Sequence, residues 1–393
     1  MFLSGSIRYV KVQLKYLSMF GLDLICYNSD ISEFQPVRTA ARFLNLKIFL
    51  VFATTGGIVL NGGYTLMFLP VGGISHKIFI CMFIAAFTTG MCVMVPLLLR
   101  PLHYISLFNI QVKLEAGLFK KLEVPPIWKF CLEICHISAI VSSIAVPLAV
   151  TIFALYDPTH APYLGSLVGN RYSCQMLNTF THVALLLLQG WDFIIITNIF
   201  CMMVVQIFFG TMIFITAFLS ALTRSIKGRQ ASMQEHFRLY RGLEILTSRL
   251  NFLFRGLILP AILLYSISCN VLGTYLTVSV KSEIFEELRN AVFPLFAVET
   301  GLAILVLGRV GGLINKRSKR CVLLLRRSLK DKSRMAKSCQ PLKIKFGSNF
   351  IGSSTPLGCP GYPVTTRYPA YPACFGIPGT RPGIANYPVY PAG

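Results

Sequence analysis

Apolar blocks more than 18 residues long recur along the 393-residue chain, set apart by short polar or basic segments. A helix of about 20 such residues crosses the roughly 30 Å of hydrocarbon in a bilayer. Lipid offers the backbone no hydrogen bonds, so blocks of this kind are read as spanning helices. Composition agrees: 13% of the residues are charged and 54% hydrophobic, whereas a soluble domain carries about 25% charge. The mean hydropathy of +0.64 points the same way. A cytosolic enzyme, a secreted disulfide scaffold and a disordered chain are excluded.

Six spans are predicted, at Ile48–Leu69, Ile78–Leu99, Ile134–Leu155, within Phe193–Leu222, at Gly256–Val278 and at Ala291–Ile314. The stretch Cys174–Gln189 is apolar too, but Asn178, His182 and a break at Gly190 interrupt it. It reads as an outer loop dipping toward the membrane, a seventh span being the other reading. Lysine and arginine then orient the chain. They crowd the segment before the first span, the connections between spans two and three and between four and five, and the segment after span six. The opposite connections hold only Lys77, Arg171, Lys281 and Arg289. Basic loops stay cytoplasmic, so both termini are expected inside, in a multi-pass protein of the plasma membrane. The fold class is all-α, a polytopic helical membrane bundle. Its expected parts are a cytoplasmic N-terminal segment (1–47), the six-span domain (48–314) containing a cytoplasmic helical extension (223–250), a basic cytoplasmic segment (315–351) and a low-complexity tail (352–393).

This topology removes familiar receptor and channel classes. A G-protein-coupled receptor has seven spans and an outside amino terminus. A voltage-gated cation channel needs regularly spaced arginines in its fourth span, and Phe193–Leu222 has none. Its filter also needs a re-entrant loop, for which the connection Ser279–Asn290 is too short. No secretory signal opens the chain, because Arg8, Lys11 and Lys15 interrupt the apolar run. The stretch Ile7–Cys26 reads as an amphipathic segment lying at the inner membrane surface. The twelve cysteines contain no C-x-x-C pair, so neither a zinc site nor another metal site is expected. H-E-x-x-H, G-x-S-x-G and P-loop motifs are absent. The chain is therefore read as no enzyme, with no catalytic residues and no cofactor.

Between spans four and five, His236–Phe254 places Leu239, Leu243, Leu246, Leu250, Leu253 and Phe254 at helical spacing, with Arg238, Arg241 and Arg249 mostly between them. Span five is thus expected to continue as a cytoplasmic helix whose stripe needs a partner. That partner is a neighbouring helix of the same chain or another subunit. The run Lys316–Lys345 carries twelve Lys and Arg against Asp331 alone. Basic residues beside a span end are ordinary inner flanks, so no nucleic-acid partner is expected. From Gly352 onward, nine prolines, seven glycines and five Tyr-Pro pairs read as a disordered, polyproline-leaning tail.

Polar residues at membrane depth mark function or interhelical bonding. Glu299 reads as the only acid well inside a span, while Asp192 begins span four beside Trp191. Gln206 and Asn270 read as interhelical hydrogen-bonding groups. Aromatic residues gather at the ends assigned to the outer side: Phe79, Phe83 and Phe87 on span two, Phe153 and Tyr156 on three, Trp191 and Phe193 on four, Tyr275 on five, Phe293 and Phe296 on six. An apolar pocket with a few polar groups is the usual form of a small-molecule site, and a headgroup-level aromatic belt accounts for part of the set.

Three segments on this topology resemble the insect-type chemoreceptor superfamily of odorant and gustatory receptors. They are Tyr16–Leu24 (YLSMFGLDL), Tyr240–Phe254 (YRGLEILTSRLNFLF) and Ser338–Gly347 (SCQPLKIKFG). The resemblance covers about residues 7–351. It implies a subunit of a ligand-gated cation channel, working as a homo- or heterotetramer with related receptor subunits in the lipid bilayer. It implies a small-molecule pocket in the outer half of the membrane, for which Phe83, Phe87, Phe153, Tyr156, Trp191, Phe193, Phe296 and Glu299 are the candidates. It makes Tyr240, Leu243, Leu246, Leu250 and Phe254 a subunit anchor. The family's seventh helix would follow Gly347, where this sequence has the Tyr-Pro tail. A truncated product that binds without conducting is the expectation from that departure. The alternative reading is a six-span transporter or scaffold with a proline-rich cytoplasmic tail.

Overall fold

The computed structural model describes residues 4–37, 41–69, 73–117, 119–120, 122–156, 161–167, 175–228, 232–279, 292–328 and 338–351. The Tyr-Pro tail lies outside the described residues. The order of elements is α1 (Ser4–Met19), β1 (Ile25–Asn28), β2 (Glu33–Pro36), α2 (Ala41–Phe68), α3 (Ile74–Leu99), α4 (Pro101–Gly117), α5 (Pro126–Tyr156) and α6 (Gln175–Phe200). A π-helical segment, Cys201–Phe209, joins α6 to α7 (Gly210–Gly228). Then come α8 (Met233–Phe254), α9 (Ile258–Ser279), α10 (Val292–Ser328), β3 (Lys345–Phe346) and β4 (Asn349–Phe350).

Among the described residues, six helices are long and apolar enough to cross a membrane. They are Leu44–Phe68, Ile74–Leu99, Pro126–Tyr156, Thr179–Gly228, Ile258–Ser279 and Phe293–Arg327. The chain is a multi-pass helical membrane protein, and these six helices correspond to the six spans expected. Two of them are much longer than a bilayer needs. At 1.5 Å per residue the 50-residue run Thr179–Gly228 is about 75 Å long, so it must project well beyond ~30 Å of hydrocarbon. Its far end, α7, is buried from Gly210 to Leu219 without interruption. Helix α7 is the axis of a bundle whose other members include α5, α8 and α10.

One expectation is corrected here. The stretch Cys174–Gln189 is no dipping loop: from Gln175 onward it is the first half of α6. Gly190 does not break the helix, which runs on to Phe200; a Cβ there would make an ordinary contact with Thr151 of α5, at 3.4 Å from Oγ1. The amphipathic segment at the amino terminus forms helix α1, with one face on protein and Lys11, Val12 and Lys15 exposed on the other. Helix α1 packs against α5, α6 and the π segment, burying Val10, Gln13 and Leu17. Tyr9 stacks on His136 at 5.8 Å and Gln13 Nε2 donates to the Asn198 carbonyl at 3.2 Å.

The cytoplasmic-helix expectation for His236–Phe254 corresponds to α8, separated from α9 by a turn at Arg255–Leu257. Ser232 caps α8, its hydroxyl accepting from the Glu235 amide at 3.2 Å. The stripe is covered by this same chain. Leu243, Leu246 and Leu250 are fully buried in the angle between α4, α7 and α10. The basic strand-like run 338–347 closes the angle in extended form. Tyr240 Oη donates to the Gln340 carbonyl at 2.6 Å, Asn251 Nδ2 to the Lys343 carbonyl at 2.8 Å, and Ser318 Oγ to the Leu342 carbonyl at 3.3 Å. Burial pushes the Tyr240 hydroxyl above its ordinary range, which keeps it a donor. The run then turns back at Gly347, whose φ of +54° suits a residue without Cβ.

Candidate ligand site

The aromatic expectation is partly assembled by the fold. On α3, Phe79, Phe83 and Phe87 follow one another at i, i+4 and i+8 and so share a helix face. All three are buried. Phe79 and Phe83 lie 4.5 Å apart between ring centroids, and Phe83 meets Tyr163 edge-on at 5.9 Å. Phe87 meets Phe193 of α6 at 5.1 Å. Such pairs add about 0.5–1.5 kcal/mol each beyond their buried area. The cluster is therefore filled by its own rings, and an occupant has to displace one of them.

Two polar connections frame the cluster. Asn61 of α2 donates through Nδ2 to the carbonyls of Pro162 and Tyr163, both at 3.0 Å, and to Ser166 Oγ at 2.8 Å. This anchors the segment 161–167 against α2, with further contacts to α6 and to Phe83 of α3. Below it, Thr55 Oγ1 reaches both carboxyl oxygens of Asp192, at 3.0 and 3.3 Å. Asp192 has no exposed surface. It does not merely begin span four: the helix starts at Gln175, so the aspartate lies deep inside it. Glu299 is thus not the one acid inside a span. The glycine-rich stretch of α2 permits the closeness of these elements, since a Cβ at Gly57 or Gly62 would stand 3.2 or 3.0 Å from a neighbouring side chain.

The remaining candidates fall elsewhere. Trp191 is 12 residues past Thr179 in α6, about 18 Å along the helix. Its indole N–H donates to the Phe20 carbonyl at 3.1 Å. The tryptophan belongs to the seam with α1, not to an outer-end belt. Phe153 is half-buried near the end of α5, and Tyr156 beyond it is 77% exposed. Phe296 is half-buried on α10 and Glu299 is exposed there; the main neighbours of α10 are α9 and α7. Phe83, Phe87 and Phe193 are brought together, and Phe153, Tyr156, Phe296 and Glu299 make no described ring contact or hydrogen bond with them. Thr55, Asn61 and Tyr163 were missed by sequence reasoning. Asn61 carried a usable signal as an amide within an apolar block; Thr55 and Tyr163 carried none.

No protein-family model and no curated protein matches the sequence. Solved structures do match the fold. The chain is similar to the insect olfactory receptor OR5 from Machilis hrabei in complex with eugenol, with a TM-score of 0.57 and 15% identity, over 89% of this chain and 93% of that one. The structure of the same receptor described without eugenol gives a TM-score of 0.56 and 14% identity, over 89% and 94%. At such identity the likeness establishes a shared fold.

Proposed function

We propose that the chain is a chemosensory receptor subunit of the odorant or gustatory kind, a member of a ligand-gated cation channel family that binds small apolar molecules within its membrane helices. The observation that carries this reading is a fold shared over nine-tenths of the chain with an olfactory receptor, one structure of which is in complex with eugenol. The Phe79–Phe83–Phe87–Phe193 cluster supports it: buried rings roofed by Asn61 and segment 161–167 suit a small, largely apolar ligand with one polar group. In this reading both termini are cytoplasmic, the protein resides in the plasma membrane, and Tyr240, Leu243, Leu246, Leu250 and Phe254 stiffen a cytoplasmic bundle that meets related subunits in a tetramer. Because those five side chains are covered within the chain, α8 contributes rigidity there, and its exposed face makes the contact.

The test is expression in cultured cells, alone and with a related receptor subunit, while a panel of volatile and tastant molecules is applied. Ligand-evoked cation current, or saturable ligand binding without current or uptake if the chain is truncated, supports the receptor; saturable uptake of a substrate without current supports a transporter and rejects it. Phe87→Ala, which opens the centre of the ring cluster, is expected to shift the half-maximal ligand concentration at least tenfold while surface expression is retained. An unchanged concentration dependence would remove the cluster from the binding site.

A further inference from the structure

Away from the aromatic cluster, a cavity of about 20 Å³ lies between α1, α4, α5 and the π segment. Ser6, Ile7 and Val10 of α1 form one wall; Gln111, His136 and Gln206 bring polar groups, and Gly210 leaves the space that a side chain would take. The volume is far below what an odorant needs, and it suffices for one or two water molecules. The polar groups around it are deeply buried: His136 and Gln206 are each 2% exposed and Gln111 is 3% exposed. Both ring nitrogens of His136 and both amide atoms of Gln206 lack a hydrogen-bond partner. Farther along the seam with α1, Gln13 Oε1 and Asn198 Oδ1 are unpartnered as well.

Four of the described orphan atoms, two on His136 and two on Gln206, belong to residues that line this one cavity. Nearby polar atoms of the π segment are provided for: Cys135 Sγ donates to the Val205 carbonyl at 3.1 Å, Thr211 Oγ1 to the Ile207 carbonyl at 2.5 Å, and Gln111 Nε2 to Thr211 Oγ1. A buried amide or imidazole without a partner costs about 1–3 kcal/mol, and a buried water bonded to two to four polar groups removes that cost. No charged side chain lines the cavity, so an ion has no counter-charge there. We propose that the cavity is a water-binding site, in which one or two waters bridge His136 of α5 and Gln206 of the π segment. Bridging water lets the two elements slide without stranding a buried donor, so the site is a hydrated pivot between α5 and the long helix α6–α7, with α1 closing one wall. The proposal does not depend on the receptor reading.

Radiolytic hydroxyl-radical footprinting of the full-length protein in detergent tests it, because bound water generates radicals in place. Oxidation of His136 and Phe108 well above that of Phe214, buried among other rings, is expected. Labelling of His136 and Phe108 no higher than Phe214 would overturn the proposal. A thermal-shift cycle provides a second readout. His136→Phe and Gln206→Met are each expected to lower the melting midpoint, and the double variant to recover most of the summed loss by expelling water from an apolar chamber. Strictly additive losses would count against a shared water.

Discussion

Single side chains set the chemistry of this bundle at two depths. Within the membrane domain, Thr55 is the described hydrogen-bond donor to Asp192. Thr55→Val keeps the shape and removes the donor, so a loss of about 1–3 kcal/mol is expected, read as a lower melting midpoint in detergent. Asp192→Asn should lose less, since its carbonyl still accepts from Thr55. Below the membrane domain, His236 is buried on α8 with Nε2 2.9 Å from Ser225 Oγ. Burial lowers its pKa, against a smaller opposing effect of Glu235. The folded protein thus holds the ring neutral, whereas the unfolded chain takes up a proton near the ordinary value of about 6.5. Stability from this group is complete above that pH and is lost as pH falls through and below it. The melting midpoint should drop between pH 7.5 and 5, and His236→Gln should flatten that part of the profile. Neither Thr55 nor the partner of His236 could be picked out beforehand, because a hydroxyl in an apolar block bonds its own helix by default.

Helices meet closely where glycine stands at the contact. At Gly273 of α9 a Cβ would stand 2.9 Å from the Phe293 carbonyl oxygen and 3.2 Å from the Ala297 amide nitrogen. Both are backbone atoms, so accommodation requires the two helices to separate. Asn270 fixes the same contact by donating to the Ala297 carbonyl at 2.7 Å. Gly273→Val is expected to destabilise the protein by about 1–3 kcal/mol, while Gly56→Ala, with nothing within 4 Å of its Cβ, serves as the neutral control. Gly190 teaches the same lesson in reverse. In the sequence it looks like a stop, beside the polar Asn178 and His182; in the fold it is a contact with Thr151 inside a continuous helix. The stripe on α8 was legible because periodicity needs only one element to reveal it. Which surface covers that stripe was not legible, since besides its neighbour α7 the covering elements α4, α10 and the run 338–345 lie far from α8 in the chain.

At the scale of the molecule, the two longest helices are longer than a bilayer needs, and the distribution of basic residues predicts that their excess length is cytoplasmic. An epitope placed after Gly228 or at the carboxyl terminus should be reached only in permeabilised cells, and one after Asn170 in intact cells. Surface labelling of the Gly228 epitope without permeabilisation would reverse the orientation and place the ring cluster on the cytoplasmic side. The end of the amino-terminal helix at Phe20 meets Trp191, about 18 Å along the spanning helix from Thr179. Amphipathicity predicted that α1 buries one face; whether lipid or protein covers that face is decided by what stands beside it.

From sequence alone came the six long apolar helices, the helical class and the amphipathic helix α8. These rest on hydropathy, length and periodicity, which are summed over neighbouring residues and need no partner. Tertiary structure alone decided that α6 starts at Gln175, that α1 is sunk against α5 and α6, and that Phe87 meets Phe193. It also decided that Asp192, 137 residues away from Thr55, is its partner. Those facts are contacts between distant segments, fixed by how helix surfaces fit together, and no window of sequence contains both sides of the fit.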